Sequence, residues 1–151
     1  MRAGIVAHGR LVAYELTMNV AELEVLEANG TFYRAFAARD SLAMDRLWAE
    51  RHPVACVHPG WDVLDGRERV LASWRDIFGS AAAPEIACSD AAARMLGEVA
   101  FVTCHEILSG GLLAATNVFV REEGRWRMAH HQATPIAAGQ ARQVRPAGPL
   151  N

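Results

Sequence analysis

The second half of the chain constrains the fold most strongly. Four segments rich in apolar and β-branched residues follow one another there, and short turns separate them. The turns contain Gly97, Gly110-Gly111 and Glu123-Gly124. Because short glycine-bearing turns join antiparallel neighbours, the pattern predicts an antiparallel meander with strands over about residues 86–96, 99–108, 112–121 and 125–133.

The first half predicts three helices and one short strand. Residues 20–38 carry apolar side chains at spacings of three and four, which is typical of an amphipathic helix. Asp40 and Ser41 offer N-caps for a second helix that ends at the following His-Pro pair. A short apolar strand follows at residues 54–58, and the Asp65-x-x-Glu68 pattern predicts a capping box for a third helix. Helices on one face of such a sheet make an α+β fold.

Composition narrows the class of protein. A chain of 151 residues with 52% hydrophobic and 21% charged residues fits one globular domain. A formal net charge of −2 gives no reason to expect nucleic acid. No apolar run approaches the ~20 residues of a membrane helix, and no glycine-rich loop suggests a cofactor. Three widely spaced cysteines favour the reducing cytoplasm.

We interpret residues 18–135 as one domain, preceded by an N-terminal extension at residues 1–17 and followed by a C-terminal tail at residues 136–151. Within this domain, two groups of residues resemble SnoaL-like domains of the NTF2-like superfamily. The first group is Phe32-Tyr33, Phe36, Asp40, Leu47-Trp48, Cys56-Val57-His58-Pro59-Gly60 and Asp65-Gly66. The second is Thr116-Asn117, Phe119, Arg121, Gly124, Trp126-Arg127 and His130-His131-Gln132-Ala133. The resemblance implies a conical barrel in which three N-terminal helices pack on a curved antiparallel sheet around a pocket.

The ketosteroid isomerases of this superfamily imply where the pocket residues lie. Their general-base aspartate precedes a proline on the first strand, and His58 holds that place here. Their oxyanion-hole tyrosine corresponds to Phe32, with Tyr33 beside it, and their neutral aspartic acid corresponds to Thr116 or Asn117. All three catalytic side chains differ, so the resemblance implies the pocket but not steroid isomerisation.

On the final strand, the resemblance places four side chains towards the pocket: Arg127, Ala129, His131 and Ala133. Because successive side chains of a strand point to opposite faces, Trp126, Met128 and His130 are then expected on the outer face. The two adjacent histidines cannot hold one metal ion together, and we predict no metal site.

Two histidines are candidate catalytic residues. His58 fits a general base because an imidazole titrates near neutral pH; alternatively, it is a strand-end histidine that bonds a neighbouring carbonyl. His131 fits a group that polarises a ligand oxygen; alternatively, it is a core histidine bonded to Asn117 or Thr116. Both alternatives stay open at the level of sequence.

The remaining candidate ligand contacts are aromatic or basic. The aromatic ones are Phe32, Tyr33, Trp48 and Trp61; alternatively, large aromatic side chains on helices that face a sheet belong to the core. Trp61 follows a Pro-Gly pair in a loop, where a large ring often caps a cavity. Arg127, if it points inward, would bind a carboxylate in a bidentate manner; alternatively, it is solvated or forms a cross-strand pair, for instance with Glu122 or Glu123.

Three functions therefore remain open from the sequence. The first is an enzyme that isomerises, cyclises or dehydrates a small apolar carbonyl compound by proton transfer. The second is a non-catalytic binder of a small apolar molecule, and the third is an association module that resembles kinase association domains. In each case we expect a homodimer through the outer face of the sheet, with no nucleic acid or membrane as partner.

Overall fold

The computed structural model describes residues 6–141, with side chains from residue 20 onward. The predicted α+β architecture is confirmed: three helices pack on a six-stranded sheet. The elements in chain order are α1 (Val6–Ala38), α2 (Ser41–Leu47), β1 (Ala55–Val57), β2 (Leu64–Asp65), α3 (Arg67–Gly79), β3 (Ala87–Leu96), β4 (Val99–Leu108), β5 (Gly111–Glu122) and β6 (Arg125–Pro135). Helix α1 begins within the segment interpreted as an extension, and residues 1–5 and 142–151 lie outside the described residues.

The two predicted helix starts differ in their outcome. The Asp40 side chain accepts a hydrogen bond from the Ala43 N–H at 3.0 Å, so the predicted cap of α2 is confirmed. The capping box of α3 is wrong, because Asp65 ends β2 and Gly66 is the N-cap, without a side-chain bond. Gly66 has φ +93°, a conformation that favours glycine, and its N–H donates to the Val54 carbonyl at 2.8 Å. The helix start is therefore set by a backbone turn.

The sheet has the strand order β2-β1-β6-β5-β4-β3. The predicted antiparallel meander is confirmed for β3 to β6. Strand β1, by contrast, pairs with β6 in parallel, with Cys56 opposite His131. This pairing brings the loop after β1, which contains His58, next to the last strand.

The expected alternation along β6 is confirmed for His131 and Ala133, which are buried, but it is wrong for Arg127 because the strand contains a bulge. Val118 of β5 pairs with His130 and Phe119 pairs with Met128, which leaves Ala129 as an extra residue. One extra residue reverses the phase of alternation. Consequently Trp126 and Met128 are buried together with His131, while the Arg127 side chain is only partly buried.

The core lies between the three helices and one face of the sheet. Its largest fully buried apolar side chains are Trp48, Phe32, Phe119, Met44 and Met128. Fully burying a side chain of this size contributes on the order of 1.5–3 kcal/mol. On β4, alternate residues from Ala100 to Glu106 face this core, and the outer face carries exposed Val99, Thr103 and Ile107. Among the described residues, no helix is long and apolar enough to cross a membrane.

Candidate functional site

A cavity of about 310 Å³ lies between the helices and the concave face of the sheet. Five parts of the fold surround it: the end of α1, the loop after β1, α3, the segment before β3, and strands β4 to β6. Its wall consists of Phe36, His58, Pro59, Trp61, Trp74, Ile77, Pro84, Ile86, Glu106, Leu108, Leu113 and His131. Most of these side chains are apolar, so the polar ones among them determine what chemistry the cavity supports.

His131 lies at the inner end of the cavity and is only 3% exposed. Its Nδ1 is 2.6 Å from Oδ1 of Asn117, the residue opposite it on β5. The Asn117 Nδ2 donates to Oδ1 of Asn29 at 2.7 Å and to the Tyr33 hydroxyl at 3.3 Å. Burial, together with the nearby His58 and His130, lowers the pKa of His131 to about 3. His131 is therefore a neutral imidazole at ordinary pH.

Glu106 is the polar group of the cavity that the sequence analysis did not select. Its side chain is 2% exposed and accepts a hydrogen bond from the Tyr33 hydroxyl at 2.9 Å. Its Oε1 lies 3.8 Å from Nε2 of His131. Burial raises the pKa of Glu106, and the hydrogen bond from Tyr33 opposes part of that rise. The carboxyl group therefore holds a proton at higher pH than an exposed glutamate does.

Tyr33 links α1 to this carboxyl group. Burial raises the pKa of its hydroxyl, and the neighbouring Glu106 and Cys104 raise it further. The hydroxyl therefore stays protonated and can donate. It also lies 3.2 Å from Sγ of Cys104, the preceding inward residue of β4. Tyr33 thus fixes Glu106 rather than facing a ligand, since it is absent from the cavity wall.

His58 forms another side of the cavity, with its ring edge-on to Trp74 at 4.6 Å. Its Nε2 is 2.9 Å from the Ser73 hydroxyl, and that hydroxyl donates to the Val70 carbonyl at 2.7 Å. Because the Ser73 hydrogen is used on Val70, His58 Nε2 is the donor of the pair. Burial lowers the pKa of His58 to about 4, so the ring is neutral.

The other nitrogen of His58 lies near a thiol. Its Nδ1 is 3.9 Å from Sγ of the buried Cys56. Both nitrogens therefore face protein groups, as the strand-end alternative in the sequence analysis requires, although the partners are side chains and not a carbonyl. Trp61 packs edge-on against the same ring at 4.9 Å and is 50% exposed, which puts it at the mouth of the cavity.

The remaining predicted contacts lie elsewhere. Phe32 is buried beneath the cavity, with its ring centre 4.8 Å from that of His131. Trp48 is fully buried beside Met128, and Thr116 is exposed on the outer face. Phe32 and Trp48 belong to the core, and Thr116 faces outward because the alternation of β5 places its neighbours Ala115 and Asn117 on the inner face.

Arg127 does not point into the cavity, which corrects the expected inward orientation. Its guanidinium donates to the Arg46 carbonyl and lies 3.7 Å from Glu50, so the predicted pairing with Glu122 or Glu123 is also wrong. The bulge at Ala129 is the physical reason, because it shifts the phase of β6 between Arg127 and His131.

A larger groove of about 990 Å³ runs between α1, α2 and the β5–β6 hairpin, where Trp126 and Leu47 form part of its wall. It is wide open, and charged residues of its wall, including Arg127, already pair with one another. The smaller cavity therefore offers the better enclosed site. Within residues 6–141, no cluster of three or more His, Cys, Asp or Glu side chains is arranged to hold a metal ion.

Comparisons with known proteins agree with this architecture. A family model described as a SnoaL-like domain matches residues 25–138. A crystal structure of a candidate dehydratase of the NTF2-like family from Streptomyces avermitilis is 34% identical, with a TM-score of 0.73, and covers 80% of this chain and 99% of that one. A candidate calcium/calmodulin-dependent protein kinase type II association domain from Thiobacillus denitrificans is 33% identical, with a TM-score of 0.65. The match covers 73% of this chain and 93% of that one.

The F-box protein SKIP8 of Arabidopsis thaliana is 30% identical over 112 residues, which are 73% of this chain. The chain spans about half of that relative, 48% of its length. The similarity therefore concerns one domain of a longer protein. With the family model covering most of the chain, and the helices and sheet arranged as described, this protein belongs to the SnoaL-like family within the NTF2-like superfamily.

Proposed function

We propose that this protein binds a small, uncharged, largely apolar molecule in the 310 Å³ cavity and transfers a proton to or from it. Isomerisation, cyclisation and dehydration all proceed by such transfers. The observation that supports this proposal is the position of Glu106, a buried carboxyl group with a raised pKa in the wall of an apolar cavity. Titratable groups with such perturbed pKa values are concentrated at functional sites.

Glu106 suits the proton-carrying role better than His58, the residue proposed from the sequence. A general base works best when its pKa is close to the working pH. Burial moves the pKa of Glu106 upward, towards neutrality, whereas it lowers that of His58 to about 4. In this proposal the Tyr33 hydroxyl holds the carboxylate in place through the 2.9 Å hydrogen bond. His58 shapes the wall, and His131 contacts the polar part of the ligand.

The composition of the wall supports an uncharged ligand. Neither Lys nor Arg is among the described side chains that line the cavity. Burying a charged ligand group without a partner is costly, so an anionic substrate would be bound poorly. The aromatic rings of Phe36, Trp61 and Trp74 provide apolar contact for the rest of the molecule.

The test compares the wild-type protein with Glu106→Gln, and with Thr116→Val as a control on the outer face. A panel of small uncharged ketones and alcohols is screened by thermal shift, and the stabilising compounds are then followed for chemical change. We expect Glu106→Gln to bind the same compounds while losing turnover by ~100-fold or more, the usual size of a general-base contribution. Turnover that survives in Glu106→Gln would contradict the role of Glu106, and binding without chemical change would indicate a binder.

Association through the sheet is the second candidate function. It is supported by the 33% identical association domain and by exposed apolar residues on the outer face, where Leu96, Val99 and Ile107 are 64, 37 and 40% exposed. We propose that two copies pair through this face. We also propose that the protein acts in the cytoplasm, because all three cysteines are free thiols. Sedimentation should show a dimer that Ile107→Glu weakens at least ~10-fold, whereas Leu23→Glu, on α1, leaves it intact. A monomeric wild type would contradict the pairing.

A further inference from the structure

The hydrogen-bond chain behind His131 determines which of its nitrogens carries the proton. A neutral imidazole has one donor nitrogen and one acceptor nitrogen. The Asn117 amide gives its hydrogens to Asn29 and Tyr33, so its Oδ1 faces His131 as an acceptor at 2.6 Å. Nδ1 of His131 is therefore the donor. Nε2, which lies on the side of Glu106, is therefore unprotonated and has a lone pair that can accept a hydrogen bond.

The other polar side chains at the inner end of the cavity offer no free donor either. In its ionised form, which is the form that acts as a general base, Glu106 is an acceptor that already receives the Tyr33 hydroxyl. The Nε2 hydrogen of His58 is committed to Ser73. The Trp74 Nε1 has no hydrogen-bond partner among the described residues, but it has almost no accessible surface to offer a ligand. Among the described wall side chains, only the indole of Trp61 at the mouth remains available as a donor. With Glu106 ionised, the inner end of the cavity therefore accepts hydrogen bonds.

We infer that the ligand of this cavity carries a hydroxyl group, which donates a hydrogen bond to Nε2 of His131. A ligand whose only polar atom is a carbonyl or ether oxygen would place that oxygen against a lone pair. Sites built to bond a hydroxyl discriminate strongly against analogues that lack it, because their polar groups are left unpaired. This inference rests on the proposed function, because it requires that the cavity binds a ligand. The assignment of the His131 proton to Nδ1 depends only on the hydrogen bonds.

The binding test uses three probes of nearly equal size: 2-naphthol, 2-methoxynaphthalene and 2-acetonaphthone. We expect the wild type and the Thr116→Val control to bind 2-naphthol at least ~10-fold more tightly than the other two. In Asn117→Leu, which removes the acceptor for His131 Nδ1, we expect this preference to shrink to about twofold or less. Equal affinity of all three probes for the wild type would overturn the inference and leave the proposed function standing. Failure of every probe to bind would contradict both.

A spectroscopic measurement separates these outcomes and needs no variant to fold. Long-range ¹H–¹⁵N correlation spectra of the imidazole rings distinguish the two neutral forms. At pH 7 the wild type should show His131 neutral and protonated at Nδ1, and 2-naphthol should shift its Nε2 resonance. His131 protonated at Nε2, or charged, would overturn the inference whatever the binding data show.

Discussion

A carboxylate on the last hairpin holds the segment that leads into β1. The Glu122 side chain, 5% exposed, accepts hydrogen bonds from the N–H groups of Glu50, Arg51 and His52 at 2.9–3.1 Å and lies 2.8 Å from the His52 ring. We predict that Glu122→Gln destabilises the protein. The substitution removes the negative charge, and the new amide places an NH₂ donor near N–H groups that also donate.

The magnitude follows from the pKa of Glu122. Burial alone would raise it, but the hydrogen bonds from His52, Glu50 and Arg51 more than offset burial and lower it from 4.5 to about 2. Because each pH unit corresponds to about 1.4 kcal/mol, this lowering corresponds to roughly 3 kcal/mol. The His52 ring is 46% exposed and solvent screens the pair, so we expect about half, ~1.5–2 kcal/mol.

Urea unfolding between pH 7 and pH 2 measures this contribution. A lowered pKa stabilises the folded state above about pH 4.5, and the stabilisation is lost as the pH falls towards 2. The difference between the wild type and Glu122→Gln should therefore be ~1.5–2 kcal/mol at pH 7 and vanish near pH 2. The neighbouring Glu123→Gln is the control, because its ion pair with Arg51 is 65–67% exposed and contributes little. Equal unfolding free energies for Glu122→Gln and Glu123→Gln at pH 7 would contradict this prediction.

Two further predictions concern the cavity and the core. Because burial raises the pKa of Glu106, ionisation of its carboxyl group opposes folding once the pH exceeds 4.5. In the same urea experiment, Glu106→Gln should therefore be more stable than the wild type at pH 8 but not at pH 4. A wild type that gains stability relative to Glu106→Gln with rising pH would contradict this prediction. Trp48→Ala should lower the free energy of unfolding by about 3–5 kcal/mol, because the ring is fully buried beside Met128. Trp61 is half exposed, so Trp61→Ala should lower it by less than ~1.5 kcal/mol. Equal losses of stability in calorimetry would contradict these positions.

Local signals made part of the fold predictable. Glycines at Gly97 and Gly124 have positive φ values in tight turns, so the meander could be anticipated from the sequence. Asp40 caps α2 through a bond to a residue three positions away, which is equally local. The parallel pairing of β1 with β6 brings together residues some 75 positions apart, Cys56 and His131. No local pattern encodes such a pairing, and only the family resemblance suggested that the two histidines lie near each other.

The errors in the candidate site also have physical causes. Sequence alternation assigns every second residue to one face, but one extra residue at Ala129 reverses the assignment, so Arg127 was expected inward and Met128 outward. Bulges carry no marker when the extra residue is not glycine. Glu106, by contrast, could have been found, because it continues the buried alternation of Val102 and Cys104 on β4. A carboxylate in phase with buried apolar residues is itself a signal of function.

A cavity-filling variant shows whether the enclosed cavity binds a small uncharged molecule. Leu113 lines the cavity, so Leu113→Trp should fill it, while Thr116→Trp adds the same ring to the outer face of the same strand. The measurement is native mass spectrometry after incubation with a mixture of uncharged alicyclic and aromatic alcohols. We predict a one-to-one complex in the wild type and in Thr116→Trp, and none in Leu113→Trp. No complex in the wild type, or the same complex in Leu113→Trp, would contradict the account.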